Sequence, residues 1–328
     1  MKSRKIAVID EEINQSYQSS ILKGISSSAA EFDLNISAFI SYSGALINPR
    51  HDMGECSIFS LPDFNDFDGA ILLTNTVGYQ SVVTDILNRI KEAGIPAVSI
   101  DNDIPYLYYI GIDNKHAMRC ITEHLIERHG FSRFAYISGP DDNPESSARL
   151  SGFLEVLREH NITISDDYIY HGDFRAPSGR AAAESFLANP NGLPQAVICA
   201  NDVMAAAVIN RFGDEGLSVP DDIAVTGFDN TYSNHNYQVE LTSVGRPLSL
   251  SGRLACKMLY NHFNGIAQER SVVLNMSAIF TESCGCRENI LSDIYEFKKL
   301  NYRNYMRFEN SQTYSNIINK RSPRLQYL

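Results

Sequence analysis

Short apolar runs alternate with longer stretches of helical period along this chain. Residues 5–10 read as a first strand, and residues 16–32 as a helix with Ile21, Leu22, Ile25 and Ala29 on one face. Strands follow at 34–40 and 68–74, then a helix at 82–93 that Gly94 and Pro96 should stop, and a strand at 97–100. The alternation then starts again. Helices are expected at 115–128, 146–160, 177–188 and 202–212, with strands at 133–138, 168–171, 196–199 and 224–228 between them. A helix at 247–264 and a strand at 272–279 close the pattern. The stretch 41–55 carries no readable period.

Strands separated by helices of ten to fifteen residues imply parallel sheets covered on both faces. Two such runs imply two lobes. The fold class expected is α/β: two doubly wound parallel-sheet lobes and a C-terminal tail.

The chain has 328 residues, a formal net charge of −11, 44% hydrophobic and 20% charged residues. That is ordinary for a globular protein, and the bulk charge does not favour a nucleic-acid surface. Residues 287–328 differ: eight Lys/Arg against four Asp/Glu and several tyrosines. They read as a connecting helix that fades into a flexible tail. Only about five apolar residues follow the opening lysines and arginine, too few for a secretory leader, and no run approaches a membrane span. A cytoplasmic location without membrane contact is expected.

Enzyme chemistry finds little footing. No phosphate loop, dinucleotide fingerprint, His-Glu-x-x-His helix or nucleophile elbow occurs, and Ser20 to Lys23 matches Ser-x-x-Lys only inside an amphipathic helix. Six cysteines are present, with Cys284 and Cys286 separated by one glycine. A zinc site needs about four ligands, and no second cysteine pair is available. No metal and no cofactor are expected.

Ligands of doubly wound sheets bind beyond the carboxyl ends of the strands. Those ends carry Asp10, Thr74, Asn75, Asp101 and Asn102 in the first half, and Asp141, Asp142, Asp173, Phe174, Asn201, Asp202 and Asp229 in the second. Such groups suit a polyhydroxylated ligand with an apolar face. Plainer readings stand beside each. Asp202 and the Asp113–Asn114 pair are equally placed to cap helices, and capping is favoured there; Asn201 is favoured as a ligand contact. Asp10 and Asp101 also read as solvated loop carboxylates, Phe174 as core, and Arg149 as an exposed helix charge.

The order of motifs narrows this. Ser138-Gly-Pro, then Ser147-Ala-Arg149-Leu-Ser-Gly-Phe153, then Gly172-Asp-Phe174, are followed by Cys199-Ala-Asn201-Asp-Val-Met and by the stretch from Gly216 to Phe228-Asp229. Leu241-Thr-Ser-Val and Thr281-Glu-Ser-Cys-Gly-Cys286 complete the set. Over residues 5–286 this resembles the effector-binding domain of the lactose/galactose-repressor (LacI/GalR) family, a periplasmic-binding-protein-like fold. The resemblance implies that Arg149, Asn201 and Asp229 grip a ligand and that Phe174 stacks on it. It also implies three crossovers joining two lobes, 1–130 with 245–270 and 131–244 with 271–286, and a homodimer. Asp10, Tyr17, Thr74 and Asp101 would face the ligand from the first lobe.

The first strand begins near Lys5, so no helix-turn-helix reader and no direct nucleic-acid contact are expected of this chain. The Glu-Ser-Cys-Gly-Cys ending followed by a helical tail resembles sensor modules that precede an output domain. The expected function is a sensor of a sugar or related polar metabolite, signalling through hinge closure. The alternatives are a solute-binding protein of a sugar transporter, or the effector domain of a DNA-binding repressor whose reader lies elsewhere.

Overall fold

The structure is a computed structural model, and the residues described are 3–43, 48–231 and 239–286. The expected tail, 287–328, lies outside these described residues, as does part of the 41–55 stretch.

The first sheet has β1 (Arg4–Glu11), β2 (Leu34–Ser41), β3 (Gly69–Leu72), β4 (Ala97–Ile100), β5 (Tyr108–Ile112) and β11 (Ser271–Leu274), in the order β2-β1-β3-β4-β5-β11. The second has β6 (Phe134–Ser138), β7 (Ile169–His171), β8 (Ala196–Cys199) and β9 (Ala224–Thr226), in the order β7-β6-β8-β9. Every pairing within these two sheets is parallel. β3, β4, β6 and β8 are buried at every residue, which is why they read as unbroken apolar runs rather than alternating ones.

The helices are α1 (Ser16–Ala29), α2 (Pro49–Cys56), α3 (Gln80–Ala93), α4 (Asn114–Glu127), α5 (Pro144–Glu159), α6 (Ala176–Leu187), α7 (Asp202–Asp214) and α8 (Leu248–Phe263). Their ends follow local chemistry. Gly94 adopts φ 66° and its N–H reaches the carbonyls of Ile90 and Lys91, ending α3 as the sequence predicts. Asp113 caps α4 by accepting from the His116 N–H, and Asn143 caps α5 by accepting from those of Glu145 and Ser146, with Pro144 opening the helix.

Three stretches join the lobes: after β5, between β10 (Ser243–Gly245) and α8, and between β11 and β12 (Ser277–Ile279). β10 and β12 pair antiparallel as a small ribbon of their own.

The lobe boundaries differ from expectation in two places. α4 was assigned by sequence to the first lobe, but it packs along α5 of the second. Residues 272–279 read as one strand of the second lobe. They are two: β11 pairs with β5 in the first sheet, and β12 turns away to β10. The alternating pattern runs on through Asn275 and Met276, so nothing in it marks the crossover. β5 and α2 are further elements that the period did not reveal.

Candidate functional site

The carboxyl ends of both sheets face each other across the crossovers, and a charged cluster lies between them. Arg149 is on α5, one turn after Glu145. Its Nε donates to Asn114 Oδ1 (2.8 Å), its Nη1 to the Ala200 carbonyl (2.6 Å), and its Nη2 to Glu145 Oε1 (3.3 Å) and Asp229 Oδ1 (3.4 Å). The guanidinium also lies 3.8 Å from the centroid of the Phe228 ring, a cation–π contact. Arg149 is 1% exposed, so it is not the solvated helix charge of the plainer reading.

Arg246 follows β10 on a crossover and faces the same carboxylates. It stands 2.5 Å from Asp101 Oδ2, 3.0 Å from Glu145 Oε1 and 3.0 Å from Asp229 Oδ1. Asp101 ends β4 in the first lobe with φ 60°, and also accepts from the Tyr17 hydroxyl. Asn75, beyond β3, donates to Tyr17 Oη (3.0 Å) and to Glu145 Oε2 (3.1 Å), crossing from one lobe to the other. A second crossing is the Asn143 side-chain amide to the Asn75 carbonyl at 3.3 Å, and a third is the ion pair of Arg175 with Glu12 at 3.2 Å.

Three carboxylates, Asp101, Glu145 and Asp229, thus share two arginines in a buried space. The energetics divide between desolvation and pairing. Burial pushes Asp101 up to about 6, although Arg246 opposes it. Burial also raises Glu145, but there Arg246 and Arg149 together win, and its carboxyl is held below the usual range. Burial and the Asp101 charge raise the Tyr17 phenol, keeping it a hydrogen-bond donor. For Arg246 the three carboxylates outweigh burial and hold the guanidinium charged. Buried polar atoms without a partner recur here: Asn75 Oδ1 and Arg246 Nε, and nearby Asp10 Oδ2. Planar donors and carboxylates with unmet hydrogen-bonding capacity are what a polyhydroxylated or amide-bearing ligand satisfies.

Known proteins are similar to this chain in sequence and fold. A model of the periplasmic binding protein-like domain matches residues 122–284. The HTH-type transcriptional repressor PurR of Pasteurella multocida (strain Pm70) is 33% identical over 152 residues, 46% of this chain and 45% of that protein. The repressor CytR of Escherichia coli (strain K12) is 28% identical over 264 residues, 80% of this chain and 74% of its own length. A solved complex of the transcriptional regulator CelR with cellobiose superposes with a TM-score of 0.73 at 26% identity, covering 86% of each chain. Over residues 122–284 the chain is similar to the periplasmic binding protein-like domain, and its fold is similar to that of the solved CelR regulator. The chain spans about half the length of the PurR relative and about three quarters of CytR.

Within this fold the other expected residues divide. Asp229, with φ 93°, sits in the cluster, as do Tyr17 and Asp101. Phe174, with φ 66°, leans over Gly139 so closely that a β-carbon there would overlap its ring, and lies 5.8 Å from the Arg149 guanidinium. It is half-buried, packing against the edge of the core beside the cluster.

Of Asn201 and Asp202, it is Asn201 that caps, against the expectation for Asp202. Asn201 is the N-cap of α7, accepting from the Met204 N–H at 2.9 Å, while its amide donates to the Phe174 carbonyl at 2.8 Å. Asp202 does not cap. It accepts from the Ser243 hydroxyl (2.6 Å) and the Thr231 N–H (2.8 Å), tying α7 to the crossover.

Asp10 and Thr74 stand apart from the arginines. Thr74 Oγ1 accepts from the Asn102 amide at 3.0 Å and is 3% exposed. Asp10 is fully buried, not solvated; its Oδ1 accepts from the Glu11 N–H and the Thr76 hydroxyl, and burial pushes it up to about 7. Glu11 is likewise raised to about 7 by burial, against hydrogen bonds from Ser43 and the Gly78 N–H. Among the described residues, no helix is long and apolar enough to cross a membrane.

Sequence reasoning missed Glu145 and Arg246; Asn75 stood among the strand-end groups, and Asn114 read as part of a capping pair rather than as a partner of Arg149. Glu145 had one usable signal, lying four residues before Arg149 on a helix. Arg246, between a glycine and a proline, had none.

Proposed function

We propose that this protein is a sensor that takes a small polar metabolite, of the sugar or nucleoside type, into the cleft between its lobes. The observation that carries the reading is the buried cluster itself. Arg149, Glu145 and Asp229 from the second lobe, Arg246 from a crossover, and Asp101, Tyr17 and Asn75 from the first lobe converge on one place. Each arginine has carboxylate partners here, so a ligand enters by exchanging its own hydroxyls or carbonyls for some of these contacts. The exchange need not be strongly favourable pair by pair, because buried ion pairs return little net energy after desolvation. That leaves the equilibrium between lobe arrangements open to a bound molecule that touches both sides.

The sugar class is supported by the cellobiose in the CelR complex and by the mix of charged and aromatic groups, Phe174 and Tyr17 among them. The names of the relatives support a role in regulating transcription, with no chemistry performed on the ligand. A homodimer formed through lobe faces and an output domain reached through residues 287–328 complete the proposal. A transporter solute-binding protein would share the fold.

Thermal-shift screening against monosaccharides, disaccharides and nucleosides tests the reading. A ligand at about a hundred times its dissociation constant adds about 2.7 kcal/mol to stability. The proposal requires a stabilising compound whose effect disappears in Arg149→Gln. Stabilisation of equal size in that variant would place the ligand elsewhere.

A further inference from the structure

A second cluster lies far from the cleft's arginines along α4 and uses none of them. His124 on the last turn of α4, His129 just beyond it, and Cys284 and Cys286 at the end of the described chain bring one ligand atom each to within 4.8 Å of one another. Four residues from two segments more than 150 positions apart in sequence meet here. We propose that His124, His129, Cys284 and Cys286 form a tetrahedral Cys2His2 site for zinc.

Four of the six edges of the cluster lie within about 0.2 Å of what zinc requires. Zinc bonds of about 2.3 Å to sulfur and about 2.0–2.1 Å to nitrogen, at tetrahedral angles, place ligand atoms about 3.3–3.8 Å apart. The two imidazole Nε2 atoms are 3.1 Å apart. The nitrogen–sulfur separations are 3.2 Å for His124–Cys286, 3.4 Å for His129–Cys286 and 3.8 Å for His124–Cys284. Thiolate and imidazole are the donors that select this metal with closed, four-coordinate geometry. Both rings present the same nitrogen, Nε2, inward.

The surroundings hold the ligands in place. His124 stacks on Phe280, with centroids 3.6 Å apart and planes 10° apart, and His129 stacks on Phe131. Gly285 has φ 100°, a left-handed turn that an L side chain resists, and a β-carbon there would meet His129 Cε1 at 3.4 Å. That glycine lets one residue separate two cysteines that face the same centre. On binding, each thiol loses its proton to solvent and a zinc–sulfur bond replaces the S–H bond; the Cys284 thiol gives up its hydrogen bond to the Thr281 carbonyl.

The sequence offered only half of this. A Cys-x-Cys pair without a second cysteine pair argued against a metal, because the completing ligands are histidines on a distant helix. The site would staple the end of the domain to α4. That helix begins at Asn114, which holds Arg149, so one rigid rod of about 15 Å joins the cleft to the Cys284–Cys286 segment.

The test uses the full chain without a polyhistidine tag, purified in reducing buffer and analysed for metal. The proposal predicts about one zinc per chain, and, after exchange with cobalt, the intense visible bands of a tetrahedral thiolate site. Cys286→Ser and His129→Ala, at half-buried positions, should each lower retained zinc to background under chelator competition while the circular dichroism of the folded protein is kept. Cys120→Ser should change neither. Tetrahedral cobalt bands absent from the reduced protein, or zinc retained equally by Cys286→Ser and His129→Ala, would overturn the assignment. So would recovery of Cys284 and Cys286 as a disulfide that takes up no metal after reduction.

Discussion

Arg246 and Asp101 meet at 2.5 Å, and both are almost fully buried. Asp101 closes a strand of the first lobe, while Arg246 lies on a crossover and reaches on to Glu145 and Asp229 of the second. The pair therefore ties the hinge to both walls of the cleft. Removing the arginine alone leaves three carboxylates with only Arg149 to balance them. Arg246→Met should cost about 3–5 kcal/mol of stability, as breaking a buried ion pair does. The double variant Arg246→Met/Asp101→Asn should lose clearly less than the sum of the single changes, measured by denaturant unfolding. Additive losses would mean the two groups do not act on each other.

Asn201 tests whether the cap and the ligand role separate. Asn201→Ala removes the α7 cap and should cost about 1 kcal/mol. Asn201→Asp keeps an accepting oxygen for the Met204 N–H but loses the amide donor to the Phe174 carbonyl. It should hold stability close to that of the parent while altering ligand affinity through the position of Phe174. Urea unfolding and calorimetry of both variants distinguish the two contributions.

Asp10 gives a pH dependence of definite sign. Burial raises its folded-state value to about 7, whereas an unfolded aspartate titrates near 4. Between those values the folded state binds the extra proton, so stability falls as pH rises from about 4 to about 7. Glu11, also raised to about 7, acts in the same direction. Asp10→Asn should flatten this slope and gain up to about 4 kcal/mol relative to the parent at pH 8, with little difference below pH 4. Unfolding curves across that range measure it. An unchanged pH slope in Asp10→Asn would contradict the burial of a protonated Asp10, whereas the parent's slope alone also carries His124 and His129, which burial shifts the other way.

Asp229 accepts from both arginines through a single oxygen, Oδ1. Its loss takes charged hydrogen bonds of about 1.5–3 kcal/mol, so Asp229→Ala should weaken ligand binding about 10- to 150-fold. Calorimetry on the compound that emerges from screening measures it.

Much of this was legible in residue order because local rules decide it. Gly94 ends α3 and Asp113 caps α4 through contacts within one helical turn. Arg149 and Asp229 were marked by their motifs. What escaped notice depends on residues far apart in sequence. Arg246 matters only because the crossover returns it to Asp101 and Glu145, and His124 only because the chain end comes back to α4. Asn201 and Asp202 are neighbours with similar chemistry, and the surrounding hydrogen bonds, not their type, assign which one caps. The break between β11 and β12 is hidden because an alternating pattern fits a strand in either lobe equally well.

The most direct measurement is a double-mutant cycle on ligand affinity between opposite walls of the cleft, Tyr17→Phe with Arg149→Gln, by titration calorimetry. If one ligand spans both lobes, each change weakens binding and the two energies couple, because losing one wall loosens the ligand's hold on the other. Binding that responds to Arg149 and ignores Tyr17 and Asp101 would confine the ligand to one lobe and contradict the bridging account.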